Sequence, residues 1–363
     1  MNEQKVKKSS MVTPFFVFFL VHSSQTGVGI LSYQRELIQR AGHDAWQSIL
    51  ITGISIHLVI LMMYSILKDS EEGDIIAINK SLFGKIIGHL LSACFLGYMA
   101  LSALNVTRAY IEILQVWIFP MIHTWELTLL VLVVVYYIIS GGFRVVTGIS
   151  FWGVVIPSFL IIMMFFLLKY AHWNNLLPLF NHDISDLLES AKVSMLMYLG
   201  FESLFLYYPF IKNRDKSQKW AQIATLYTTI LYLILTIISF VYFTQGQLKH
   251  TVWATLIITK IFQLPFIERF EYIVIFIWFL VVLPTICCYV WSFTRGVKKM
   301  CNIQPKKSLI FVILLIYIAS VLIDNRVKVT ILGNITSNLG FYIIYGYVPL
   351  LYVVTKIKKN YQK

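Results

Sequence analysis

SSQTGVGIL, residues Ser23 to Leu31, lies inside an apolar stretch, Val12 to Gln39, that is long enough to cross a bilayer. Hydrogen-bonding side chains followed by two glycines make a poor helix interior, since glycine costs a helix about 1 kcal/mol relative to alanine. Backbone that leaves helical geometry at membrane depth survives only where protein buries it or a polar cavity accepts it. The stretch therefore predicts a first helix broken at Gly27 and Gly29, with its freed backbone directed at something other than lipid.

The rest of the chain supports a membrane setting. Of 363 residues, 58% are hydrophobic, 15% aromatic and 13% charged, and the mean hydropathy is +0.75, far too apolar for a water-soluble domain. Ten spans are predicted: Val12–Gln39, Trp46–Leu67, Ile86–Trp117, Thr124–Ser140, Val145–Leu168, Ala191–Phe210, Trp220–Thr244, Tyr272–Phe293, Leu309–Ile323 and Leu339–Thr355. The fourth and ninth are short. Connections are short too, the longest being Lys68–Lys85, Lys169–Ser190 and Gln245–Glu271, so a single all-α membrane domain over 1–363 is expected.

Lys and Arg set the orientation. With a cytoplasmic amino terminus, twenty of the thirty fall inside: at the two ends of the chain, in Lys68–Lys85, at Arg144, in Lys212–Lys219 and in Arg295–Lys307. This asymmetry favours ten spans with both termini cytoplasmic. The net charge of +13 then reads as anchoring to anionic membrane lipid, with no nucleic-acid partner. Lys5, Lys7 and Lys8 followed by MVTPFFVFFLV also resemble the start of a secretory signal peptide. Cleavage after Ser23 would leave nine spans and reverse the basic loops, so the first helix is read as retained. Four cysteines without a C-x-x-C argue against a disulfide framework and a zinc site.

A second interruption answers the first. MLMYLGFESLF in the sixth span carries Gly200 near its midpoint and Glu202 just after it. Two glycine-interrupted helices in corresponding positions point to a five-plus-five inverted repeat with a small-molecule site between them. The repeats are expected at about 11–170 and about 190–357. The candidate ligand-binding residues are Thr26, Gly27, Val28, Gly29 and Ile30 in the first break, and Tyr198, Leu199, Gly200, Phe201 and Glu202 in the sixth. Amides of Val28, Gly29 and Ile30 at the start of the outer half-helix would receive a carboxylate. Carbonyls of the inner half-helix and of Tyr198 and Leu199 would receive an ammonium group. An amino acid offers both. The competing reading makes Gly27 and Gly29 close-packing glycines of an intact helix.

Glu202 needs a reason, because a carboxylate at membrane depth costs several kcal/mol unless neutral, paired or wet. Three roles stand open: a protonatable coupling group, a ligand contact, or a hydrogen bond to a neighbouring helix. Arg108 and Glu112, four residues apart on one helix face, are read as structural partners of each other or of other helices. His57 is read as a bonded core residue, Glu268, Arg269 and Glu271 as interfacial anchors, and Pro284 as a kink. The HDISD segment places His182 and Asp186 at an acyltransferase-like spacing, a weak match that is set aside. Without a nucleophile and base pair or a metal cluster, neither catalysis nor a cofactor is expected.

TGVGIL and YLGFES resemble the amino acid, polyamine and organocation transporter superfamily, and the whole chain is similar to the B subunits of the nutrient germinant receptors of endospore-forming bacteria. GFESLFLYYPF ending the sixth helix, IERFEYIVIFIW opening the eighth, and the length carry the closer likeness, while PMIHTW replaces an expected Thr-Pro turn. The resemblance implies a LeuT-like fold in the spore inner membrane, a germination nutrient as ligand, and work in a complex with a larger A subunit and a lipoprotein C subunit. The alternative it leaves is a proton-coupled amino acid permease of the same fold. Tyr198, Phe201, Tyr207 and Tyr208 around the sixth break would also suit stacking on a nucleoside or sugar.

Overall fold

The computed structural model describes residues 6–262 and 268–361. Lys5, Lys363 and Ile267, which entered the charge count and the eighth-helix motif, lie outside the described residues. In chain order the helices are α1 Phe16–Gln25, α2 Tyr33–Ala41, α3 Trp46–Lys68, α4 Ile75–Trp117, α5 Thr124–Ser140, α6 Phe143–Val155, α7 Ser158–Met164 and α8 Ile184–Met197. Then come α9 Leu204–Tyr207, α10 Gln218–Tyr242, α11 Gln245–His250, α12 Ala254–Thr259, α13 Phe270–Cys301, α14 Pro305–Leu322, α15 Arg326–Tyr342 and α16 Val348–Tyr361.

Seven helical stretches are long and apolar enough to cross a membrane unaided: Tyr33–Lys68, Ile75–Trp117, Phe143–Tyr170, Arg214–Tyr242, Phe270–Cys301, Pro305–Leu322 and Arg326–Tyr361. Two shorter apolar helices, α1 and α5, accompany them. This is a multi-pass membrane protein. Its centre is α13, with 72% of its most apolar window buried, against 22% for Arg326–Tyr361 at the periphery. Outward faces such as Leu130, Tyr137, Ile162 and Leu322 are exposed and apolar, as a lipid-facing surface requires.

Several helix limits depart from expectation. The last helix begins at Arg326 and reaches Tyr361 through a π-helical turn at Ile343–Tyr347, and α14 begins at Pro305, because charged ends extend helices beyond their apolar windows. The Lys68–Lys85 connection is mostly helix, folded back at Gly84 where φ is +76°. The Gln245–Glu271 connection holds α11 and α12, the former started by a capping box between Thr244 and Gln247. α13 runs on through Pro284 without a break, its ring packed beside Gly153 of α6.

Polar residues of the helices are mostly spent on neighbours. Arg108 donates through Nε to the Ile323 carbonyl (2.5 Å) and Glu112 pairs with Arg326 (2.8 Å), so both serve other helices. His57 bonds Gln222 of α10. Arg269 pairs with Glu271 at 3.0 Å. His182 turns away from Asp186 to the buried Asp44 (3.0 Å), which also accepts from the Phe180 and Asn181 amides.

At the end that carries the chain termini, the segment before α1 is tied to the segment after α9. The Val12 amide donates to the Phe210 carbonyl and the Lys212 amide to the Val12 carbonyl, both at 2.9 Å. Asp69, after α3, receives Lys356 (3.0 Å) and Lys359 (2.5 Å) of α16. Burial works against the Asp69 charge, yet the two lysines outweigh it and hold the carboxyl below its ordinary value. The tie is therefore complete above the unfolded carboxylate range and lost as pH falls through the lowered value. With lysines this exposed its worth is about 1 kcal/mol or less. Asp69→Asn should speed amide exchange in the last turns of α16 at pH 7, and wild type should approach that rate only in acid.

Candidate functional site

α1 ends at Gln25, and after Thr26 the chain runs through Gly27 (φ −60°, ψ −146°) into a 3₁₀ segment at Val28–Leu31 before α2 resumes. α8 ends at Met197, and Gly200 (φ +124°) turns the chain into the 3₁₀ turn Phe201–Ser203 and α9. Only glycine adopts that φ readily. The two interruptions meet. A Cβ on Gly200 would lie 2.6 Å from the Ser24 carbonyl oxygen and 2.7 Å from the Ser24 Cβ, so the sixth break is pressed onto the first.

Gly27 and Gly29 behave differently. A Cβ on either has its nearest neighbour at 4.0 Å, Thr285 Cγ2 for Gly27 and Met197 Cγ for Gly29, an ordinary contact distance. The packing glycines of this protein are elsewhere: Gly53 against Thr229, Gly153 against the Leu280 carbonyl, Gly296 against Leu96 and Gly340 against Leu199. A Cβ at Gly27 or Gly29 would meet no such close neighbour. The amides of Val28 and Gly29 open the 3₁₀ segment, where a helix has no preceding carbonyl to bond, whereas the Ile30 amide falls in register with the Gly27 carbonyl of the i→i+3 ladder.

The freed carbonyls are largely taken. Tyr232 of α10 donates its hydroxyl to the Gln25 carbonyl (2.9 Å) and shares it with the Met197 carbonyl (3.2 Å), so one phenol caps the last residue of both half-helices. Thr285 of α13 bonds the Ser23 carbonyl (2.9 Å), Trp278 the Gly27 carbonyl (3.4 Å), and Thr255 of α12 the Ile30 carbonyl (2.9 Å). Thr26 is buried and bonds back to the His22 carbonyl.

Glu202 is wholly buried. Its Oε1 accepts from Tyr98 of α4 (2.8 Å) and Tyr289 of α13 (3.2 Å), and its Oε2 accepts from the Gly200 amide (2.7 Å). One carboxyl group thus fastens the sixth break to two neighbouring helices. Of the aromatic candidates, Tyr198 reaches Thr229 of α10, Tyr207 stacks on Phe143 and Tyr208 packs on Tyr64. They diverge, and no common stacking wall forms from them. A cavity of about 40 Å³ lies beside the first break, against His22, Thr26, Pro157, Leu231 and Trp278, room for a water or two. Its other lining residues come from α6, α7, α10, α12 and α13, and none from Tyr198 to Glu202.

Sequence reasoning missed Tyr98, Tyr232, Tyr289, Trp278 and Thr285, which hold the breaks in place. The one available signal was a pair of polar side chains, Thr285 and Tyr289, one turn apart on the most buried helix.

Two broken helices packed on one another, each capped by flanking helices, define a LeuT-type membrane protein. The fold agrees with an outward-open, substrate-bound Na⁺-coupled sialic acid symporter at a TM-score of 0.63 and 11% identity, covering 98% of this chain and 79% of that one. The model of the spore germination protein family matches residues 11–329. Spore germination protein GerQB of Bacillus cereus is 43% identical over 347 residues, 96% of each chain. Spore germination protein YndE of Bacillus subtilis (strain 168) is 24% identical over 98% of this chain and 99% of its own. The chain belongs to the spore germination protein family, and is a germinant receptor B subunit.

Proposed function

We propose that the ligand of this B subunit is a small nutrient, most fittingly an amino acid, bound at the first break. The observation that carries the reading is the contrast among the glycines: a Cβ on Gly200 would press into Ser24, while a Cβ on Gly27 or Gly29 would meet nothing closer than 4.0 Å, beside the Val28 and Gly29 amides that open the 3₁₀ segment. Those amides suit a carboxylate. Thr26 and Gly27 to Ile30 contact the ligand in this reading, and Tyr198 to Glu202 shape the opposite wall. The supporting arrangement is ten crossings in two inverted repeats, about 11–170 and about 190–357, with both termini cytoplasmic, in the spore inner membrane. In this reading an A subunit and a lipoprotein C subunit carry the signal onward.

A proton-coupled amino acid permease is the second reading, favoured by one observation: Glu202 links the sixth break to α4 and α13, where a change of protonation would be felt by three elements at once. The two readings part on transport. A sensor needs only a ligand that binds one conformation more tightly, whereas a permease must alternate access. Purified protein in liposomes should give little gradient-driven amino acid uptake, and A and C subunits should co-purify from spore membranes. Sustained uptake without partners would establish the permease. For the topology, Lys216→Cys on a cysteine-free background should resist a membrane-impermeant maleimide in intact cells. Labelling from outside would refute the cytoplasmic placement.

A further inference from the structure

The hairpin between α13 and α14 carries a feature that the broken helices do not use. α13 ends with Asn302 in the left-handed conformation (φ +57°), and α14 starts three residues later at Pro305. Between the two helices lies a groove of about 360 Å³ lined by Phe293, Val297, Ile303, Lys307, Ser308 and Phe311. That volume falls within the range of small-molecule sites, about 300–1,000 Å³. Its mouth faces outward, with Phe311 61% and Ile303 42% exposed. Lys299 of the same end reaches Glu72 and Asp74 before α4, next to the Asp69 tie that holds α16, so the groove opens at the membrane end where the termini and most basic residues gather.

We propose that this groove binds one anionic phospholipid, an acyl chain lying against Phe293, Val297, Ile303 and Phe311 and the phosphate held by Lys307 and its neighbour Lys306. Charge decides the headgroup. Lys299 is committed to carboxylates, but among the described residues Lys298, Lys306 and Lys307 have no ion pair, and from Phe270 to Asn325 the acids, Glu271 and Asp324, stand at the far ends of α13 and α14. Polarity decides the tail. The one hydroxyl in the groove, on Ser308, is spent on the Pro305 carbonyl (3.0 Å). A peptide entering the groove would leave its own N–H and C=O groups unpaired, a cost of several kcal/mol each at membrane depth, whereas a hydrocarbon chain brings none. The contact faces are also short. Phe293 to Val297 is one turn, about 6 Å of rise, too little to seat a partner helix about 10 Å across.

The test uses the full chain, delipidated in detergent and titrated with dioleoyl phosphatidylglycerol or dioleoyl phosphatidylcholine under native mass spectrometry. One phosphatidylglycerol per chain should be retained at concentrations where phosphatidylcholine is not. Lys306→Gln with Lys307→Gln should weaken retention at least tenfold, from roughly fivefold per lysine near a membrane surface. Val297→Trp fills the groove and should abolish retention with every lysine present. Ile303→Asp, in the exposed turn between the helices, should do the same and keeps the test open if the tryptophan variant folds poorly. Equal retention of the two lipids would overturn the proposal. So would retention that survives groove filling, which would mark plain surface attraction, or a peptide held there in place of lipid.

Discussion

Gly200→Ala is expected to destabilise the protein by about 2–5 kcal/mol, combining roughly 1–2 for an L-residue at positive φ with about 1–3 for forcing a methyl into packed surroundings. The methyl has nowhere to go. Its nearest neighbours are the carbonyl oxygen and Cβ of Ser24, and backbone cannot swing aside as a long side chain does. Gly27→Ala, by contrast, meets Thr285 at 4.0 Å and should keep its thermal midpoint within a few degrees while nutrient-triggered germination falls sharply. Midpoints of the two variants in the same detergent, with germination of spores carrying each, make the comparison. A Gly27→Ala protein as unstable as Gly200→Ala would restore the packing reading of Gly27. A stable Gly200→Ala protein would mean that the two breaks are not in contact.

The second large effect belongs to Glu202. Glu202→Ala strands two phenols and the Gly200 amide, each of which loses its carboxyl acceptor inside the membrane. The cost should be on the order of 3–5 kcal/mol, as for breaking a buried charged pair from one side. Glu202→Gln keeps one acceptor oxygen and should cost about 1–3 kcal/mol. Tyr98→Phe removes one of the two donors to Oε1 and should fall below both. Reversible unfolding in mixed micelles ranks the three. If Glu202→Ala is no less stable than Tyr98→Phe, the carboxyl does not fasten the helices. If Glu202→Gln folds and yet abolishes the nutrient response, the carboxyl acts on the ligand or on a proton as well.

Both interruptions were legible in the residues themselves, because glycine and clustered hydrogen-bonding side chains at membrane depth violate the rule that backbone there be paired. The same logic gave His57 to a core partner and made Arg108 and Glu112 structural, paired with each other or with other helices; the second of these is what the structure shows. What stayed hidden was the partner side of each bond. Tyr232 looks like any tyrosine in an apolar helix until α10 is known to pass between Gln25 and Met197, and His182 lies 138 residues from Asp44 in sequence. Helix limits were lost for a different reason. Apolar windows mark the part of a helix that lipid touches, while α15 begins at Arg326 and α14 at Pro305 in charged sequence, and α4 carries an added segment before Gly84 that is folded back from the long span. The aromatic residues around the sixth break reach different neighbours, Tyr198 to Thr229, Tyr207 to Phe143 and Tyr208 to Tyr64, because they sit on different elements.

The two backbone bonds between Val12 and the Phe210–Lys212 segment carry a mechanical consequence. They form a yoke. The half-helix that follows Val12 and the one that precedes Ile211 belong to opposite halves of the chain, yet neither can swing from the bundle alone without parting a pair of peptide bonds' hydrogen bonds, while Arg144 at the head of α6 grips the Met11 carbonyl beside them (3.1 Å). A pull applied upstream of Met11 is thus delivered to the sixth break as directly as to the first. A single spin label near residue 11 would report on both breaks as one moving part.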